Sequence, residues 1–202
     1  ISNSLRDFRG DKGEHKTMMI NISHFALTQN SLSILVDDYL KEIKNSIENI
    51  IGDKKNRLNN SSIQKLEKTF KANFDVKESF GDVLDNIWAS ATKIKVLAVN
   101  TKSKQVLDYD MYPDGLSAIV IGGLKLSRGL TLSGLSVSYF ARSSKAYDVL
   151  MQMCRWFGYR ENYDDLCKVF MPSQSLEWYT HIAEAISDLY ADLDTMSQQQ
   201  KT

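Results

Sequence analysis

The stretch Ile119-Val120-Ile121-Gly122-Gly123-Leu124-Lys125-Leu126-Ser127-Arg128-Gly129-Leu130-Thr131-Leu132 decides how the rest of the chain is read. It begins as an unbroken run of β-branched residues and opens into a glycine-rich, partly cationic loop. A strand that is apolar at every position, rather than at alternate ones, is buried on both faces, and that is the habit of parallel sheets covered by helices. Gly122, Gly123 and Gly129 permit conformations closed to other residues and let a phosphate approach backbone N–H groups. Ser127, Arg128 and Thr131 add hydroxyl donors and one fixed charge.

The strand itself reads as Ala118 to Ile121, and four further runs are nearly continuous in apolar residues rather than alternating: Met18 to Ile22, Ile94 to Val99, Val137 to Ala141 and Lys168 to Met171. Helical patterns separate several of them. From Ser31 to Ile51 apolar residues recur at three- and four-residue steps. Residues 61 to 92 read as two or three short helices, within a helical insertion or side lobe spanning 53 to 92. Pro113-Asp114-Gly115 is a turn, and a last helix runs from about Ser175 to Leu193, with a polar, frayed tail from Met196 to Thr202. Strands alternating with helices predict a single three-layer α/β domain with a mainly parallel sheet of about five strands. Ligands of such sheets sit beyond the carboxyl ends of the strands. That rule nominates Ser23 and His24, Asn100 and Thr101, Gly122 to Gly129, and Arg142.

Composition bounds the function classes. The chain has 202 residues, 25 Lys and Arg against 25 Asp and Glu, and a formal net charge of zero. Overall charge therefore gives no electrostatic footprint for nucleic acid, although a local basic patch is compatible with a neutral sum. No apolar run has the length of a membrane span. Cys154 and Cys167 lack metal-ligand spacing and read as reduced thiols of a cytoplasmic protein. The first residue is Ile1, and the opening reads as the interior of a larger protein.

A second informative segment is Ser143-Ser144-Lys145-Ala146-Tyr147-Asp148-Val149-Leu150-Met151-Gln152-Met153-Cys154-Arg155-Trp156-Phe157-Gly158-Tyr159-Arg160. It predicts a helix capped by Ser143 or Ser144 and ended by Gly158. Gln152 and Arg155 share one face, and Arg160 follows the glycine cap. Two guanidinium groups at a helix C-terminus also suit the dipole there, which is a purely structural explanation.

Together the two segments resemble motifs five and six of superfamily-two helicases, in the order and spacing of the second RecA-like domain. The closer wording, Leu126-Ser127-Arg128-Gly129-Leu130-Thr131, then Tyr139-Phe140 and Arg142, then Met151 to Arg160, is similar to the Z-one (Z1) domain family. Met18 to Phe25 resembles that family's first strand. The family occurs in endonuclease-like, restriction-like and phage-defence proteins, joined to a helicase-type ATPase core. Two departures stand out: Cys154 replaces the first glycine of helicase motif six, and Tyr159 is inserted before Arg160.

The resemblance implies a half-site. ATP and Mg2+ would be held mainly by an upstream P-loop domain of the same protein. This chain would supply Arg155 and Arg160 as catalytic arginines, with Gln152, Gly129 and Arg128 toward the nucleotide. Gly122, Gly123, Ser127, Thr131 and Arg142 would face nucleic acid, DNA in the first instance. The alternative is a degenerate RecA-like module that binds nucleic acid or protein without nucleotide. Gly10-Asp11-Lys12-Gly13-Glu14-His15-Lys16-Thr17 is not a P-loop, because His15 replaces the second glycine and the segment enters a strand. Glu42-Ile43-Lys44 has nuclease spacing but lies in a helix. His15, His24 and His181 are scattered, and such histidines are more often structural than catalytic.

Overall fold

The computed structural model describes residues 1–51, 59–100, 107–123, 126, 130–141 and 160–199. Five strands form one all-parallel sheet in the order β2-β3-β1-β4-β5, an α/β fold of the three-layer kind. The strands are β1 (Lys16–Asn21), β2 (Lys95–Val99), β3 (Ser117–Gly122), β4 (Leu135–Phe140) and β5 (Lys168–Phe170). Each lies within two residues of its expected place; β1, β3 and β4 are mostly buried, whereas the edge strands β2 and β5 are partly exposed. The helices are α1 (Ser2–Phe8), α2 (Ala26–Ile51), α3 (Ser61–Asn73), α4 (Phe80–Thr92) and α5 (Ser173–Gln199).

From β1 the chain passes through α2, α3 and α4 to the far edge, returns through β2 to β3, and then crosses β1 to reach β4. Strand order therefore reverses around β1, whose carboxyl end is the topological switch point. One core lies on the sheet, built from Met19, Val99, Val120, Leu135 and Phe140 with Leu116, Leu126 and Leu132 from the connections. A second joins Leu5 of α1, Ile47 of α2, Ile63 and Phe70 of α3, and Val83 and Ile87 of α4. Asn60 caps α3, and a capping box between Ser79 and Asp82 starts α4. The Pro113 turn forms with Gly115 at φ +81°, and an added Cβ there would lie 2.4 Å from the Gly13 carbonyl oxygen.

Three helical boundaries differ from expectation. Helix α1 carries no periodic signal, since Ser2, Asn3 and Ser4 are poor helix formers. Tertiary bonds hold it: Ser4 Oγ donates to Val83 O (2.6 Å), and Asp7 accepts from Ser90 Oγ (2.6 Å) and pairs with Lys16 Nζ (3.0 Å). Helix α2 starts at Ala26, five residues before Ser31, because its polar first turns are fixed by side-chain bonds at the sheet edge. Helix α5 continues to Gln199, so Met196 is helical, in step with the spacing that precedes it. The expected helix over Ser143–Gly158 lies outside the described residues.

Arg9 clamps three segments. Its Nε and Nη2 donate to Glu78 (2.7 and 3.1 Å), and Nη1 and Nη2 to Asp165 (2.7 Å each). The hydrogen bonds from Arg9 hold both carboxyls below the usual carboxylate range. A depressed carboxylate stabilises the fold above its unfolded pKa and loses that contribution as pH falls through the folded value. Arg9→Ala is expected to cost about 1–2 kcal/mol at pH 7, with Asp165 contributing less because it is more exposed. In urea titrations the gap between wild type and variant should begin to narrow as pH falls below about 4, the ordinary value that applies to the unfolded chain, and close as the depressed carboxyls of the fold become protonated; a gap unchanged down to about pH 2 would sink this account.

Candidate functional site

The carboxyl edge of the sheet gathers polar groups around the switch point. β1 ends at Asn21, whose side chain is completely buried and whose amide oxygen and nitrogen both lack a hydrogen-bond partner. Its backbone is engaged, since Ala141 N–H donates to Asn21 O (3.1 Å). Unpaired buried amides cost roughly 1–3 kcal/mol, so a fold does not retain one at the end of its central strand for stability. Beside it, Gln29 in the first turn of α2 is 2 % exposed; its Nε2 donates to Ser23 O (2.8 Å), while its Oε1 is unpartnered. Asn100, just past β2, donates from Nδ2 to Asn30 Oδ1 (3.0 Å).

Gly122 and Gly123 close this edge at the end of β3. An added Cβ on Gly123 would lie 2.7 Å from Gln29 Nε2 and 2.8 Å from Ser23 O; on Gly122 it would lie 2.7 Å from Leu126 Cγ and 2.8 Å from Val99 O. Glycine is required here by close approach, not by a positive φ. The 26-residue helix α2 directs its N-terminus to the same edge with no acidic side chain in its first turn. Exposed N–H groups and the positive end of the helix dipole suit an anionic group there.

The residues read from the sequence divide between two ends of the sheet. Ser23, His24, Asn100, Gly122 and Gly123 lie at the carboxyl edge, as expected. Thr131 is exposed on the return connection, three residues before Gly134, which contacts His15 at the amino edge. Arg160 also lies toward the amino edge: its Nε–H donates to the carbonyl of Leu135, the first residue of β4 (3.4 Å). The length of β4 puts these two edges roughly 17 Å apart. Thr101, Ser127, Arg128, Gly129, Arg142, Gln152 and Arg155 lie outside the described residues. Asn21 and Gln29 were missed, because an Asn closing a strand and a Gln opening a helix both read as ordinary boundary residues. The available signal was their polarity within otherwise buried elements.

The amino edge carries a cleft of about 530 Å3. Arg6, 2 % exposed, pairs with Asp11, donates to Gly134 O (3.0 Å) and sits 3.9 Å over the Tyr163 ring. Arg6, Arg9 and Lys12 line this cleft against Asp11, Glu14 and Glu161. Its charge is balanced, so it does not fit a triphosphate by itself. His15 is structural, with Nδ1 accepting from Leu116 N–H (2.9 Å) and its ring against Tyr109. Burial pushes the Cys167 thiol up, which disfavours the nucleophilic thiolate. Among the described residues no cluster of His, Cys, Asp or Glu side chains would hold a metal ion, and no helix is long and apolar enough to cross a membrane.

Replacing an unpaired buried amide by an apolar group of similar size removes a desolvation cost. Asn21→Leu should therefore raise stability by about 1 kcal/mol in urea unfolding, whereas Gly123→Ala should lower it by about 1–3 kcal/mol. Destabilisation by Asn21→Leu would show that the amide serves the fold.

The family model for the Z1 domain matches residues 1–202. No curated protein and no solved structure gives a significant match.

Proposed function

The chain belongs to the Z1 domain family, and from that premise we propose that it is the second RecA-like domain of a helicase-type ATPase in a cytoplasmic restriction or phage-defence protein with endonuclease-like relatives. The observation that carries this reading is the unsatisfied, buried amide of Asn21 beside Gly122, Gly123 and the N-terminus of α2 at the switch point. A backbone that tolerates no Cβ, a helix N-terminus and a donor without a partner together suit a phosphodiester. The carboxyl edge thus faces nucleic acid; Ser127 and Arg142 follow β3 and β4 in sequence, whereas Thr131 stands on the return connection, three residues before Gly134 at the amino edge.

Nucleotide belongs to the other end. Arg160 stands near the amino edge, and Arg155 and Gln152 precede it in sequence. There they would meet ATP and Mg2+ held by a P-loop domain, with Gly129 and Arg128 in the segment linking the two edges. When bound, that nucleotide supplies the phosphoryl chemistry; this chain's part is to place a guanidinium against the charge that develops. An arginine supplied in this way is worth roughly a thousandfold or more in rate. The placement of nucleic acid and nucleotide at opposite ends of one sheet would let the domain couple them as a rigid body.

One observation favours the second reading, a module that binds nucleic acid or protein without nucleotide. The Arg160 Nε–H is bonded to a backbone carbonyl, a structural use of that group.

The test is ATP hydrolysis, with and without DNA or RNA, by the protein carrying its P-loop domain. Arg155→Ala or Arg160→Ala should lower the rate on the order of a thousandfold while the variant stays folded. Asn21→Leu should raise the nucleic-acid concentration needed for half-maximal stimulation about tenfold, a loss of roughly 1.4 kcal/mol of binding, if the buried amide turns outward at the edge to meet the backbone. If both arginine variants match wild type, the module reading replaces the ATPase reading.

A further inference from the structure

Helix α5 has a second periodicity. Tyr179, Ile182, Ile186, Leu189, Leu193 and Met196 follow one another at steps of three, four, three, four and three. That alternation is the heptad seam of a coiled coil, narrower than the stripe of a helix lying on a globular core. The structure shows how much of the seam the domain uses. Ile182 is buried, and Tyr179 and Ile186 are half-buried, but Leu189 is 57 %, Leu193 50 % and Met196 58 % exposed, with Tyr190 at 66 % beside them. No described helix or strand packs along this part of α5. Roughly the last 20 Å of the helix, at 1.5 Å per residue, carries an apolar seam into solvent.

Charge selects the occupant. Between Ser173 and Gln199 there are five carboxylates, Glu177, Glu184, Asp188, Asp192 and Asp194, and no lysine or arginine. Asp192 borders the seam directly. Asp188 lies one position further round on that side, and Asp194 on the side of Tyr190. Two copies of this helix would bring ten carboxylates together without a cation, and like charges flanking a seam disfavour pairing. A partner with lysine or arginine beside its own apolar seam would gain both the buried area and the attraction.

We infer that the exposed half of α5 is a docking helix for a helical protein partner whose apolar a/d seam is flanked by lysine and arginine. Leu189, Leu193 and Met196 are the anchors, and Asp188, Asp192 and Asp194 select the charge. The inference is independent of the nucleotide and nucleic-acid roles, since none of those residues belongs to α5.

Two labelled probe peptides of three heptads separate the contributions, each with Ile and Leu in the seam, one with Lys at every flanking position and the other with Glu. Neither assembles with itself readily, because its flanks repel. Fluorescence anisotropy should show the Lys peptide binding the domain at least tenfold more tightly than the Glu peptide, and more weakly as salt is raised from 0.05 to about 0.5 M. The double variant Leu189→Asp with Leu193→Asp should weaken Lys-peptide binding at least tenfold. Both positions are solvent-exposed, and an unchanged urea midpoint confirms that the fold survives. Equal binding of the two peptides, or of neither, overturns the inference. So does sedimentation velocity showing a wild-type dimer that the double variant abolishes, because the seam then serves a second copy of the chain.

Discussion

β1 pairs along its length with β3 on one side and β4 on the other, and every other element is arranged to make that possible. A central parallel strand has to be apolar on both faces, and its neighbours have to arrive by long crossovers from both directions in the chain. The burial of its first residue follows from the same demand. Lys16 is 4 % exposed at the foot of the strand, and its ammonium is held by Asp7 (3.0 Å) and the Asp11 carbonyl (2.6 Å). A buried ammonium is tolerable only when paired and hydrogen-bonded. This is why α1, weak as a helix, is bound to the body of the domain: it carries the carboxylate that the central strand requires.

The two ends of β1 have opposite chemical characters. At the foot, Arg6, Asp7, Asp11 and Lys16 satisfy one another in a closed set of ion pairs and hydrogen bonds. At the head, Asn21 and Gln29 are buried without that closure. A network satisfied internally builds structure, whereas one left open has capacity for something else. The contrast within one strand is what directs attention to the carboxyl edge, in agreement with the general behaviour of parallel sheets. It also separates Arg160 from the glycine pair, a division invisible in the linear order of the two motifs.

Much of the fold was legible in the residues. All five strands announced themselves through nearly continuous apolar runs, and the long helices through three- and four-residue steps. Helix α1 was not legible, because nothing local favours it; its bonds to Val83 and Ser90 span 79 and 83 residues. The candidate site was half legible. Gly122, Gly123, Ser23, His24 and Asn100 follow from the position of strand ends. Asn21 and Gln29 do not, since what marks them is the absence of partners, and that is a property of three dimensions. Likewise the heptad steps of α5 are written in the chain, but only the fold shows that the seam leaves the domain uncovered.

By itself the sequence determined the class of fold, the strand positions and the glycines at the end of β3, because these depend on residue type and periodicity within a dozen positions. Only the tertiary structure decided which edge each candidate residue occupies, which buried polar groups are closed by partners, and which apolar face meets solvent. Those are relations between residues tens of positions apart, brought together when β1 takes its place between strands that lie far along the chain.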